Sequence, residues 1–439
     1  MSDLSAKLAV DAALAQIARL NGDLRALIHV DAARARAQVD DLDRTQATQG
    51  PLFGATFVAK DLIDVARQPT QAGSKLFGNR LAAQDAACVA RLRAAGAVVL
   101  GKANMHELAA GGAVNPWFGQ VINPQSVAHG TGGTSSGSAA AVAAAMCSFA
   151  LGTDTGGSNR SVAAACGVYG YKPSHGLISL DGVLPTARSM DTVGIIAPSA
   201  EMISQCLRAM MDEAAATTTR PLHGRTFARI TNLISSPMNA VVSEAVEFAF
   251  ASISAEGGRV ITFEIDAPED LARAGIAILR YEFAQIYGDR IDRSAENVGA
   301  AVHSFLAASR QISANQYTDA TALAAEHRAQ WAMMLAEVDG FITPTAPGLA
   351  PDLATETTAV GRNRVPYGAA GAEFRMWANT IGIPAVAIPV PRAAGLPASV
   401  QLSGAKNSDR LLLDLAAALG RAITQKSAAS SSTSTTTGT

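Results

Sequence analysis

The chain has 439 residues, 49% of them apolar and 16% charged, which excludes intrinsic disorder over most of its length. Its 35 Lys and Arg against 37 Asp and Glu leave a net charge of −2, without the basic clustering of a nucleic-acid binder. A small molecule is the expected partner, with no nucleic acid or membrane bound directly.

Four cysteines, Cys88, Cys147, Cys166 and Cys206, form no CxxC and are too sparse for a disulfide framework, so buried reduced thiols are expected. The opening MSDLSAKLAV lacks the basic and apolar regions of a signal peptide. The most apolar run, 139–151, is too short to span a bilayer. These features predict a soluble, cytoplasmic protein.

In chain order, Leu4, Leu8, Ala13, Ile17 and Leu20 share one face of a predicted helix over 3–20, and a second helix is expected over 31–46. GATFVAK (54–60) reads as a buried strand ending in a charged loop, 85–95 as a helix and AVVL (97–100) as the next strand. Glycine concentrates between 130 and 170, where backbone must approach something closely or take positive φ. SAAAVAAAM (138–146) predicts a helix of small side chains with a serine N-cap. A Thr-rich stretch near 212–226 reads as a linker or a surface excursion, 227–340 as mostly helical with a strand near 259–265, and AVAIPV (385–390) as a strand. A last helix is expected over 408–424, before a disordered low-complexity tail at 427–439. Alternating strand and helix predicts an α/β layered fold.

Several catalytic patterns fail on inspection. Gly96-AVVL-Gly101-Lys102 resembles a P-loop, but Ala103 lacks the hydroxyl for Mg²⁺ and the intervening residues read as strand. Seven scattered histidines show no metal-ligand spacing, and His106–Glu107 has no second ligand at helical spacing. Gly133-Thr134-Ser135-Ser136-Gly137 is a formal GxSxG, yet turn residues 123–126 stand where a nucleophile elbow needs a strand. Ser403-Gly-Ala-Lys406 is an SxxK without its companion motifs.

The second glycine cluster is more informative. In GTDTGGSNR (152–160), Ser158 follows Thr155-Gly156-Gly157, where successive backbone N–H groups converge on a point suited to an oxyanion. A serine nucleophile needs a base, and a desolvated neutral lysine supplies one. Lys60, closing an apolar strand, fits that role.

Taken together, GATFVAKD (54–61), GKANMHELA (101–109), GGTSSGSAAAVAAA (132–145), GTDTGGSNR (152–160), CGVYGYKP (166–173), 379–389 and GLPASVQLSG (395–404) resemble the amidase signature family, in its order, from about residue 50 to 420. The resemblance implies amide hydrolysis by a Ser–cis-Ser–Lys triad placed at Ser158, Thr134 and Lys60. Thr134 stands 24 residues before Ser158, where the family has serine, and Ser135 is a substitute or supporting donor. Thr155, Gly156 and Gly157 become the oxyanion hole, while Asp154 and Arg160 support the loop or, for Arg160, bind a substrate carboxylate. Asn159 and Val162 replace a usual aliphatic residue and a usual proline.

The resemblance implies one three-layer α/β/α domain with a large mixed sheet over 1–424. Its signature core covers about 54–200 and its variable substrate-pocket region about 212–370. The implied enzyme is a cytoplasmic amidase acting on a small primary amide, without metal or organic cofactor and with a homodimer as base-rate expectation. Two alternatives stand beside it: the glutaminase-type A subunit of a tRNA-dependent amidotransferase, and a catalytically impaired family member.

Overall fold

The computed structural model describes residues 3–44, 50–211, 221–392 and 394–433. Eleven strands form one mixed sheet: β1 (Leu27–Val30), β2 (Thr56–Lys60), β3 (Val98–Ala103), β4 (Phe149–Thr153), β5 (Tyr169–Lys172), β6 (Val193–Ala197), β7 (Thr226–Ile230), β8 (Arg259–Phe263), β9 (Gly340–Pro344), β12 (Ala385–Val390) and β13 (Ala398–Ser403). The hairpin β10 (Thr357–Val360) and β11 (Asn363–Pro366) stands apart. The sheet order is β1-β3-β2-β4-β6-β5-β12-β13-β9-β7-β8. β3, β2 and β4 pair in parallel, as do β9, β7 and β8, while the strands between them pair antiparallel.

Helices cover both faces, because the central strands are apolar on both sides and must be enclosed. One layer holds α3 (Ala87–Ala94), α6 (Ala200–Met211), α7 (Ala240–Ala255) and α13 (Asp409–Thr433), packed on Phe57, Phe149, Ile195 and Val400. The other holds α1 (Asp3–Leu24), α2 (Ala32–Arg44), α4 (Ser136–Ala143) and α5 (Ser158–Cys166), packed on Val58, Leu100 and Ala150. Phe57 and Ala59 therefore face the first layer and Val58 the second. Strand alternation sends Lys60 the same way as Val58, toward α4 and α5.

Around the β9 end, α8 (Pro268–Asp292), α10 (Ala314–Leu335) and α12 (Ala372–Thr380) build a separate apolar cluster, while α9 (Ala300–Ser309) packs on α8 and α11 (Tyr367–Ala370) leads into α12. The cluster centres on Trp331, Phe341 and Trp377, with ring centroids 5.3–5.5 Å apart. It holds α12 against the sheet, directly over the β4–α5 loop.

The three-layer architecture agrees with the expectation from sequence, with differences in detail. β3 occupies the P-loop-like stretch, so the segment between Gly96 and Lys102 is strand and not a phosphate cradle. The helix after the first glycine cluster starts at Ser136 rather than Ser138, and its N-cap residue Ser135 makes no capping bond. That hydroxyl has another partner, described below. Helix α13 continues to Thr433, because extending a formed helix carries no nucleation cost. The stretch from 427, expected to be disordered, is thus helical as far as it is described, and 434–439 lie outside the described residues. So does 212–220, most of the expected linker. The four cysteines are buried and unpaired. Among the described residues, no helix is long and apolar enough to cross a membrane.

Trp331→Ala removes the central ring of the cluster that seats α12. It is expected to lower stability by about 3–5 kcal/mol, read as a lower urea midpoint.

Candidate active site

Three segments converge at the sheet's centre: the end of β2, the glycine-rich turn before α4, and the loop joining β4 to α5. Lys60, the last residue of β2, is 0% exposed. Its Nζ lies 2.9 Å from Thr134 Oγ1, 3.0 Å from Ser135 Oγ and 2.8 Å from Thr153 Oγ1. Among the described residues no carboxylate lies within ion-pair distance of it. Burial accordingly pulls the ammonium down to about 7, against the opposing fields of Asp154 and Asp191. A substantial share of the amine is therefore neutral near pH 7.

A neutral amine has one lone pair and two N–H groups for these three hydroxyls. The Ser135 hydroxyl donates to Thr153 O at 3.1 Å, so toward Lys60 its oxygen acts as an acceptor. This is why Ser135 caps nothing. Thr134 Oγ1 has Lys60 as its one partner among the described residues, which leaves its proton free to face the amine. Ser135 is fully buried, whereas Thr134 and Ser158 are half-buried. Of the two hydroxyls, Thr134 is the one that is both bound to the Lys60 amine and only half-buried. Among the described residues there is no cis peptide bond, so Thr134 reaches Lys60 over trans peptides.

Ser158 is the first residue of α5, and its hydroxyl makes no hydrogen bond among the described residues. The loop before it is fixed by Asp154. One carboxylate oxygen accepts Gly157 N–H at 2.8 Å and the other Asn159 N–H at 3.3 Å, bending the loop back on itself. Gly157 sits at φ 107°, a conformation that a side chain resists. With its N–H held by Asp154, Gly157 is withdrawn from the expected oxyanion hole. The N–H groups of Thr155, Gly156 and Ser158 have no partner among the described residues.

Arg160 is completely buried and spends all five N–H groups inside the protein. Nε and Nη2 reach the two Asp154 oxygens at 3.0 Å, Nη2 also reaches Asn379 Oδ1 at 2.6 Å, and Nη1 reaches Gln401 Oε1 at 2.6 Å and Arg375 O at 3.1 Å. No donor is left for a substrate carboxylate, so Arg160 supports the loop. Burial alone would raise the Asp154 carboxyl; the Arg160 charge and hydrogen bonds outweigh it and hold Asp154 well below the usual carboxylate range.

Sequence reasoning missed three contributors. Thr153, closing β4, is the third hydroxyl on Lys60. Asp191 accepts from Thr155 Oγ1 at 2.6 Å and from the N–H groups of Thr186 and Ala187, and burial pushes its carboxyl up to about 6. It pins Thr155, and with it the start of the unpaired N–H row. His106, set aside as a metal ligand, donates its backbone N–H to Thr134 O at 3.3 Å and steadies the relay turn. Its imidazole is pushed down to about 4 by burial and the Lys60 charge. None of the three stands in a pattern readable without the fold, though Thr153 lies within the glycine cluster itself.

Asp154→Asn leaves the Arg160 charge buried without its counter-ion. The expected loss is about 3–5 kcal/mol of stability, read from chemical denaturation beside the parent protein.

Comparison with known proteins places the chain in a family. The family model described as Amidase matches residues 9–413. The A subunit of the glutamyl-tRNA(Gln) amidotransferase from Synechococcus sp. (strain WH7803) is 30% identical, over 94% of this chain and 93% of that one. A crystal structure of an amidase superposes with a TM-score of 0.87 at 30% identity, covering 95% of this chain and 96% of that chain. The native peptide amidase from Stenotrophomonas maltophilia gives 0.79 at 27% identity, covering 95% and 93%. The chain belongs to the amidase signature family.

Proposed function

We propose that the protein hydrolyses a small primary amide to a carboxylate and ammonia through a Ser158 acyl-enzyme. The observation that carries this reading is Lys60: a sealed amine, brought near neutral pH by burial, bound to the Thr134 hydroxyl. Its lone pair takes the Thr134 proton while Thr134 Oγ1 takes the proton of Ser158. Ser158 Oγ forms a bond to the amide carbon, whose oxygen becomes the oxyanion. The N–H groups of Thr155, Gly156 and Ser158 receive that charge, each donor worth about 3–4 kcal/mol in comparable sites. The proton returns along the same path to the leaving nitrogen, the C–N bond breaks, and ammonia departs. Water then attacks the ester with the relay again acting as base, releasing the acid and restoring Ser158.

The buried, unpaired thiols support a reducing compartment, and the reading places the enzyme in the cytoplasm, alone or as a homodimer. Similarity to an amidotransferase's A subunit over nearly the whole chain supports a second reading, in which the released ammonia serves partner subunits. Ammonia release by the purified chain alone favours the first reading; release only with added partners favours the second. No release under either condition, with Lys60→Ala indistinguishable from the parent, identifies an impaired member.

Ser158→Ala is expected to abolish both ammonia release and labelling by a fluorophosphonate; labelling that persists would move the nucleophile to Ser135. Because the neutral amine is the base, kcat/KM should rise with pH through about 7 and then level. A profile flat from about pH 5.5 to 8.5 would remove Lys60 from that role.

A further inference from the structure

A second arginine lies beside the nucleophile loop in a different state from Arg160. Helix α12 turns one face to that loop: Arg375 against Gly157, Met376 against Gly156, and Asn379 on Asp154 and Arg160. The Arg375 side chain lies so close to Gly157 that a Cβ there would meet its Nε at 2.5 Å, and a Cβ on Gly371 would collide with its Nη2. Two glycines thus make the room this guanidinium occupies.

Arg375 is 3% exposed. Among the described residues, one of its five N–H groups donates, from Nη1 to Thr345 O at 2.8 Å, and Nε is buried without a partner. The Tyr367 ring lies 5.9 Å from the guanidinium carbon, and among the described residues no carboxylate forms an ion pair with it. Asp154, the acid whose field reaches it, already has both oxygens engaged by Arg160, Asn379 and two backbone N–H groups. A buried guanidinium without a counter-ion carries a desolvation penalty that a bound anion relieves, and its planar fork suits a carboxylate.

We propose that Arg375 receives a carboxylate of the substrate, so that the amide cleaved at Ser158 is one that also carries an acid group. This rests on the amide-hydrolase reading and names its substrate class. Gly157 and Ser158 are adjacent, their Cα atoms about 3.8 Å apart, so the acid and the scissile carbonyl are separated by a short chain of roughly one to three methylenes.

The test uses full-length protein carrying Ser158→Ala, which keeps the pocket without turnover. Malonamate, succinamate and glutaramate, and the neutral propionamide, butyramide and valeramide, are titrated by calorimetry. At least one acid amide is expected to bind tenfold or more tightly than its neutral counterpart. Adding Arg375→Gln should bring that ratio to about one, and Arg375→Lys should recover part of it, with circular dichroism reporting the fold of each variant. The proposal is overturned if Ser158→Ala protein shows no preference for any acid amide, a result that needs no arginine variant. It is equally overturned if the preference survives Arg375→Gln. Failure of the parent protein to hydrolyse any amide would sink the hydrolase reading and leave this affinity comparison intact.

Discussion

The placement of one amine governs this site. Lys60 ends a strand buried on both faces, and its Nζ meets three hydroxyls where an ordinary buried lysine meets a carboxylate. Lys102 shows the contrast within the same protein. It sits on the neighbouring strand, equally buried, with Asp61 Oδ1 at 3.1 Å. Burial pulls Lys102 down as well, but the Asp61 contact supports its charge, and its remaining bonds go to Pro69 O and Thr70 Oγ1. Two lysines at strand ends thus diverge through a single partner: one is a structural ion, the other a candidate base.

Such a base is useful only beside a rigid acceptor geometry, and the β4–α5 loop supplies it. Asp154 fixes the loop from within, Arg160 fixes Asp154, and Asn379 and Gln401 bring α12 and β13 into the same network. Asp191 holds Thr155 from the other side. This polar cluster lies under an apolar helix layer, so its bonds are made in low dielectric, where a satisfied network rigidifies and a broken one is costly. Asn159 departs from that economy: its Oδ1 is buried without a partner among the described residues, and nothing in the structure explains it.

Much of the site is legible in sequence because its residues lie in contiguous, unusual strings. GTDTGGSNR places the candidate nucleophile, the loop acid and the supporting arginine within a few residues of one another, and GATFVAK places the candidate base at a strand end. In sequence, the choice between Thr134 and Ser135 rests on alignment; the structure supplies a physical reason in the Ser135 proton committed to Thr153 O. What stays hidden joins distant segments. Asp191, His106 and Arg375 reach the site from other parts of the chain, through sheet order and the seating of α12, which no local pattern encodes. Position along the chain puts Gly157 in the oxyanion hole, but the Asp154 side chain takes its N–H. Strands β5, β6, β9 and β13 are not apparent in sequence because short apolar runs carry no clear period.

The central claim is that Lys60 titrates near neutrality inside the folded protein. Protein labelled with ¹⁵N at the lysine Nζ, compared with a Lys60→Met variant to assign the signal, reports that ionisation by NMR from acid to strongly alkaline pH. A midpoint near 7 is the result this account predicts. A midpoint near the ordinary lysine value of about 10.4 would contradict it, leaving Ser158 without a base.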